Sequence, residues 1–245
     1  MSDNAHLQLD HVVKHFGGLT ATNDLSFDVK HGESLGLIGP NGAGKTTIFN
    51  LIMGEYRQDS GDILYQNQSI TKLPTHARIL KGVTRTYQVP RPFSEMSVLE
   101  NIQIGLMPNQ LREMIFQGPD RQKEEEIARN VGLSEQDFNR PPTELSIGDL
   151  RKLELARALA TNPSLMLLDE VFAGLTLAEI AQIAELINKK RQEGMTFIII
   201  SHDLRSLEPL IDRAIAMSFG SIVAQGTFSE VISDQHVQKT YLGDS

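Results

Sequence analysis

The sequence predicts an α/β fold with a largely parallel sheet, on three observations. Short apolar runs alternate with amphipathic helical stretches through most of the chain, the pattern of strand–helix–strand units. One such run, Ser34–Gly39 (SLGLIG), enters a glycine-rich turn before a helical stretch. A different segment, from about Val89 to Leu145, is punctuated by Pro90, Pro92, Pro108, Pro119, Pro141 and Pro142, which predicts a helical insert on a β-rich core.

The elements follow in order. Leu7 to Val29 alternates, with turn residues at Gly17-Gly18 and Asn23-Asp24, and predicts several short strands. SLGLIG is a buried strand, and Thr46 to Met53 a helix that stops at Gly54. Tyr56–Ile70 carries Asp59-Ser60-Gly61 and Asn67, so a hairpin is expected, and Gly82–Gln88 forms another strand. Within the insert, Val98–Leu106 and Arg121–Val131 have helical patterns. From Ser146 a helix runs to Asn162-Pro163, with Leu150, Leu153, Ala156 and Leu159 as its apolar face. A strand Leu165–Leu168, a helix Leu177–Glu193, a strand Thr196–Ser201, a further helix, a hairpin near Gly220 and a helical tail complete the chain.

Composition narrows the function classes. A chain of 245 residues with 40% hydrophobic content buries a sizeable core without disulfide or metal staples. It has no cysteine, which excludes thiol redox chemistry and cysteine zinc sites. The net charge of −8 argues against a broad nucleic-acid footprint. The local cluster Arg78, Lys81, Arg85 and Arg91 reads as a solvated face rather than a phosphate-backbone contact. Met1–Asp10 is polar and unlike a signal peptide. Runs such as Leu165–Leu168 and Phe197–Ile200 fall far short of the roughly 20 residues that span a bilayer, so service to a membrane would go through a partner.

Three motifs carry chemistry. Gly39-Pro40-Asn41-Gly42-Ala43-Gly44-Lys45-Thr46 matches G-x-x-x-x-G-K-[ST] in full and sits between a predicted strand and helix. Glycines let backbone N–H groups converge on phosphate oxygens, and the helix N-terminus adds donors and a favourable dipole. Lys45 supplies a point charge for the β- and γ-phosphates, and the Thr46 hydroxyl is a ligand for Mg²⁺. The second motif, Ser164-Leu-Met-Leu-Leu168-Asp169-Glu170, puts two carboxylates at the C-terminal end of a buried strand, where open α/β sheets bind ligands. Asp169 would hold Mg²⁺ through water, and Glu170 would orient or deprotonate the attacking water. The third, Leu145-Ser146-Ile147-Gly148-Asp149, has the form of a capping box before an apolar helix, and a capped helix start beside a glycine is also an anion site.

With these motifs, LSIGD opening the helix LRKLELARALA, then LMLLDE, then Ser201-His202-Asp203, the whole chain resembles an ABC-transporter ATP-binding subunit. Phe16-Gly-Gly-Leu-Thr-Ala, Thr84-Arg-Thr-Tyr-Gln88, Val98-Leu-Glu-Asn-Ile102, Phe172-Ala-Gly-Leu175 and the ending Val237–Gly243 make it similar to the ATPases of branched-chain amino acid importers. Urea and amide importers and the lipopolysaccharide-export ATPase share parts of this pattern.

The resemblance implies a P-loop (RecA-like) core with an N-terminal antiparallel β subdomain, residues 1–88 and 151–245, and a helical subdomain, residues 89–150, ending in the signature motif. It implies a nucleotide loop that extends to Thr47, and a role for Gln88 in linking the Mg²⁺ and water site to the helical insert. It implies that His202 is the switch histidine that contacts the γ-phosphate. Phe16 matches the aromatic that stacks on adenine; a core phenylalanine on an N-terminal strand is the other reading. Ser146, Gly148 and Asp149 would meet the γ-phosphate of an ATP held mainly by a second ATPase subunit, in a homo- or heterodimer.

Integral membrane permease subunits and a periplasmic or extracellular solute-binding protein are the other implied partners, nucleic acid is not one, and the implied location is the cytoplasmic face of the membrane. The implied activity is ATP hydrolysis coupled to uptake of a small polar solute such as a branched-chain amino acid. Lipopolysaccharide or lipid export, or a non-transport ATPase acting on nucleic acid, are the alternatives; the last would call for a long coiled-coil insert or tandem cassettes, and the chain has neither. A GTPase would want an Asn-Lys-x-Asp base reader, which is absent.

Four positions depart from the family pattern. Ile147 and Asp149 replace a glycine and a glutamine of the signature, Val171 stands where a proline commonly follows the catalytic glutamate, and the next loop ends in Thr176 rather than aspartate. Asp149 should repel a phosphate unless capping engages its charge. The departures point to a weakened site or to pairing with a non-identical partner.

Overall fold

The computed structural model describes residues 5–107 and 120–242. Pro108, Pro119, Met1–Asn4 and Gly243 lie outside them. Two sheets enclose one helix. β1 (Ala5–Phe16) and β2 (Leu19–Lys30) form a single long antiparallel hairpin turned at Gly17-Gly18. The expected turn at Asn23-Asp24 is not one. β2 runs through it with Asp24 at φ 53 and His11 of β1 at φ 51. The ladder bulges there instead of reversing, because Asp24 Oδ1 holds His11 Nδ1 at 2.7 Å and a short polar side chain tolerates that backbone. After β3 (Ser34–Ile38) and α1 (Lys45–Met53), β4 (Ser60–Tyr65) and β5 (Gln68–Ser69) make the expected hairpin and complete a sheet of order β2-β1-β4-β5.

The second sheet adds β6 (Val83–Arg85), β7 (Leu165–Asp169), β8 (Thr196–Ile200), β9 (Arg213–Ser218) and β10 (Ser221–Gly226) in the order β10-β9-β3-β8-β7-β6. β6, β7, β8, β3 and β9 run parallel and β10 is antiparallel to β9. β3, β7 and β8 are buried at every residue, so alternate side chains enter different cores. Leu165, Leu167, Ile198 and Ile200 pack with Ile48, Phe49 and Ile52 of α1 and with Leu7, Leu9 and Val12 of the first sheet. Met166, Leu168, Phe197 and Ile199 face the other way, into a core shared with the insert's Val98 and Ile102 and with Leu153.

The insert holds α3 (Val98–Leu106) and α4 (Arg121–Asn130), and α5 (Ile147–Ala160) packs against both. Ser97 and Glu100 close a capping box on α3. Of the apolar face expected for α5, Leu153 and Ala156 are buried but Leu150 and Leu159 are half-buried. Lys152, Glu154, Leu155 and Ala158 are buried as well, since the helix is covered on several sides. α6 (Leu177–Gln192), α7 (Leu204–Leu207), α8 (Phe228–Ser233) and α9 (Gln235–Leu242) follow, with α2 (Thr75–Leu80) earlier in the chain.

The basic cluster is not a solvated face. Lys81 and Arg91 are exposed, but Arg78 is 1% exposed and Arg85 is buried. Arg78 Nη1 donates to the Leu51 and Ile52 carbonyls at 2.7 and 2.8 Å, and its Nε to Leu73 O at 2.9 Å. It thus meets two carbonyls in the last turn of α1, of which Leu51 O also accepts from Gly54 N at 3.1 Å. Burial draws its pKa down to about 10, so it stays charged at neutral pH.

Candidate nucleotide site

β3 delivers the chain to the C-terminal edge of the parallel sheet, and the loop that follows folds against β2 and the β9–β10 turn. Gly44 has φ 102, and a Cβ there would lie 2.4 Å from the Ala21 carbonyl oxygen. Only glycine fits. Gly44 caps α1 without a side-chain bond, and the first intrahelical bond runs from Ile48 N to Gly44 O. The amides of Lys45, Thr46 and Thr47 therefore sit at the open end of the helix. Asn41, Gly42, Ala43, Gly44, Lys45, Thr46 and Thr47 line a cleft of about 260 Å³. Gly39 and Pro40 do not line it; their carbonyls accept from Lys45 Nζ at 2.6 and 2.9 Å. Burial lowers the Lys45 pKa, against the pull of Glu170 and Asp169.

Gln88, Asp169 and Glu170 line the same cleft. Asp169 ends β7 and is 2% exposed. Its Oδ2 accepts from Arg85 Nη2 at 2.7 Å, and its N–H donates to Thr86 Oγ1 at 3.1 Å. Arg85 also bonds Asn50 of α1, so one guanidinium ties the loop's helix to the acidic strand. Glu170 follows at φ 53, outside the sheet but tied to it by its N–H on Ile200 O at 3.0 Å. His202 leaves the neighbouring β8, and its Nδ1 lies 2.7 Å from Glu170 Oε2. The parallel register of β7 and β8 brings these two groups together.

Phe16 is 40% exposed at the rim of the cleft, so it is not a core residue of its strand. Tyr56 packs edge-on against it, with ring centres 5.1 Å apart. Thr20 and Ala21, on the next strand of the same hairpin, also line the cleft. In the sequence Arg85 stands only in the basic cluster and in a family-like stretch, Thr20 and Ala21 only in a family-like stretch, and Tyr56 only at the start of a hairpin; none is singled out there for the site. Arg85 lies 84 positions from the aspartate it grips, and only the pairing of β6 with β7 joins them.

Ser146, Gly148 and Asp149 lie elsewhere, at the start of α5. Ser146 Oγ accepts from Asp149 N at 3.1 Å and donates to Asp149 Oδ2 at 2.6 Å. Asp149 Oδ1 is 3.0 Å from Lys152 Nζ, which is 2.6 Å from Glu179 Oε1. Glu179 in turn closes a capping box with Thr176 on α6. Two departures, Asp149 and Thr176, thus belong to one network, and the Asp149 charge is engaged by Ser146 and Lys152. Burial opposes the Lys152 charge, but the bonds to Glu179 and Asp149 outweigh it and raise its pKa. Glu179 is held at about 2 by Lys152 and by the Thr176 N–H and hydroxyl.

A glycine-rich loop opening onto paired carboxylates, with a glutamine and a strand-end histidine nearby, agrees with the comparison to known proteins. The family model described as ABC transporter matches residues 22–173. The chain belongs to the ABC transporter family. It is an ATP-binding, ATP-hydrolysing subunit of such a transporter. The lipopolysaccharide export system ATP-binding protein LptB of Escherichia coli strain K12 is 35% identical over 249 residues, with 98% of each chain covered. The high-affinity branched-chain amino acid transport ATP-binding protein LivG of Salmonella typhimurium is 35% identical over 252 residues, again with 98% of each covered. A crystal structure of an ABC-transporter ATP-binding cassette in its ADP conformation superposes with a TM-score of 0.84 at 32% identity, covering 99% of this chain and 100% of that one. No helix of this ABC ATPase among its described residues is long and apolar enough to cross a membrane.

Proposed function

We propose that this subunit binds ATP with Mg²⁺ in the cleft between Phe16 and Glu170 and drives uptake of a small polar solute, such as a branched-chain amino acid, through separate membrane subunits. The observation that carries the nucleotide reading is the convergence of Lys45, Thr46, Gln88, Asp169 and Glu170 on one cleft, with His202 outside its lining but 2.7 Å from Glu170. The first-turn amides of α1 receive phosphate oxygens, and Lys45 neutralises the β- and γ-phosphates. Phe16 stacks on the adenine. Mg²⁺ fits the oxygen donors at hand, the Thr46 hydroxyl, the Gln88 carbonyl and the Asp169 carboxylate. When bound, it neutralises charge that develops on the phosphates. Arg85 orients Asp169. Glu170 takes the proton of the attacking water, and His202, hydrogen-bonded to it, contacts the γ-phosphate.

Ser146 and Gly148 serve the nucleotide of a second ATPase subunit, since they lie away from the chain's own cleft. ATP closes the pair, hydrolysis reopens it, and the insert passes the movement to permease subunits at the cytoplasmic face of the membrane, with a solute-binding protein outside. Uptake follows the likeness to LivG and the stretches quoted above. Export of lipopolysaccharide or another lipid is the second reading, favoured by an equal identity to LptB.

Glu170→Gln should cut kcat at least about 100-fold with ATP binding intact; turnover at the parent rate would remove Glu170 from its role. For the solute, the chain is purified with its membrane subunits and placed in proteoliposomes. ATP-dependent uptake of labelled leucine in the presence of the binding protein supports import, and ATP-dependent release of lipopolysaccharide supports export.

A further inference from the structure

Past β6 the chain leaves the sheet in an unusual way. Thr86 N still pairs with Leu167 O of β7, but the next residue has no strand partner for its backbone groups. Tyr87 N–H donates to Glu154 Oε1 at 2.7 Å, and Arg151 Nη1 donates to the Tyr87 carbonyl at 2.9 Å. Both backbone groups of one residue are held by two side chains of one helix. Arg157 continues the row: its Nη1 donates to Arg91 O at 2.7 Å, and its guanidinium lies 4.8 Å from the centre of the Phe93 ring. Residues 151, 154 and 157 recur at helical spacing on one stripe of α5. The Arg151 and Glu154 side chains are 10% and 9% exposed and 3.9 Å apart. From the other side, Tyr87 OH donates to Glu55 at 2.6 Å and Arg85 sits over the ring at 4.9 Å.

We propose that Arg151 and Glu154 are positioning residues that fasten the Gln88 segment to the helix whose cap is Ser146. The inference rests on the reading above for what Gln88 and Ser146 touch. Glu154 and Ser146 stand eight residues apart on a continuous helix, about 12 Å. A displacement of Gln88 in one nucleotide cleft is therefore delivered to the surface that meets the nucleotide of the other subunit. The grip is costly to keep: burial lifts the Glu154 pKa to about 7, against the Tyr87 N–H and the charges of Arg151 and Arg157. A helix–loop contact needed only for packing would be met by apolar side chains without that penalty.

Two measurements on the full chain test this. In steady-state ATP hydrolysis, Glu154→Ala should lower kcat about tenfold and leave KM for MgATP within about twofold. Glu154→Gln keeps a carbonyl acceptor and should restore most of the rate. Glu154→Ala placed on Gln88→Ala should cost nothing further, because Glu154 acts through Gln88. Additive losses, or no rescue by Gln, would overturn the proposal. The chain has no cysteine, so Val89→Cys and Ile147→Cys, both at exposed positions, accept spin labels cleanly. With labelled chain diluted in unlabelled chain, the 89–147 distance distribution should be narrow in the parent and broad in Glu154→Ala. Equal widths would also overturn it. Should the parent hydrolyse no ATP, the nucleotide reading fails, while the distance measurement still decides the grip. If Glu154→Ala does not fold, Arg151→Gln takes its place in both measurements.

Discussion

At the cleft, the groups we propose to meet phosphates are backbone amides at the open end of α1, held by a glycine that no other residue can replace. At the start of α5, by contrast, each polar group is a side chain engaged by another, from Ser146 through Asp149 and Lys152 to Glu179 and Thr176. The first arrangement depends on the path of the main chain, so it admits almost no change of residue type. The second depends on charge balance, so a substitution is absorbed when a neighbour answers it. This explains why Gly39–Thr46 follows its motif in full while the LSIGD segment does not.

The contrast breaks most directly at Gly44. Gly44→Ala should weaken ATP binding by at least about 100-fold in calorimetry, since the added Cβ forces the loop off the Ala21 carbonyl. Ile147→Gly at the other end should leave binding to the isolated chain within about twofold. Comparable losses from both would mean that the two ends are not built differently. Arg78→Met comes next. It removes a buried donor from the Leu51, Ile52 and Leu73 carbonyls, of which Leu51 O keeps only its bond from Gly54 N, and should cost about 3 kcal/mol in urea unfolding.

Glu179→Gln weakens a helix cap and a half-shielded ion pair, about 1 kcal/mol near pH 7. Its pH dependence sharpens the comparison. A carboxyl at about 2 in the fold and 4.5 in its ordinary state gives stability that is present above pH 4.5 and lost as the pH falls toward 2. The gap between parent and variant should therefore narrow below pH 4.5; a gap constant with pH would show that the Lys152 pair contributes nothing. The smallest effect is expected of Asp149→Asn, below about 0.5 kcal/mol, because Lys152 retains Glu179. A loss near that of Arg78→Met would show that the network cannot absorb change.

The cleft was legible because its parts are local in sequence: a strand, a glycine loop and a helix in succession, then a carboxylate pair on an apolar strand. Phe16 and His202 needed the family resemblance to be singled out, since a lone aromatic or histidine on a strand has other readings. Asn23-Asp24 looked like a turn because its residue types favour one, but the pairing of Asp24 with His11 decides otherwise. Arg78 and Arg85 looked solvated because charge alone says nothing of what stands opposite. Their partners are helix-end carbonyls and an aspartate that only tertiary packing brings near. The grip on Tyr87 was invisible for the same reason.

The seam around Gly44 also bears on how the molecule is made. Its Cα side is walled by the Ala21 carbonyl and by Gly220 of the β9–β10 turn, and Gly220 N donates to Ala43 O while Asn23 N donates to Gly220 O. Gly220 comes 176 positions after Gly44. Contacts of that span close late, because the loop entropy must be overcome first. During synthesis the phosphate cradle is thus left without its wall until the final strand pair has docked. A nascent chain that stops short of Gly220 carries the whole loop motif and still lacks a finished site for the nucleotide.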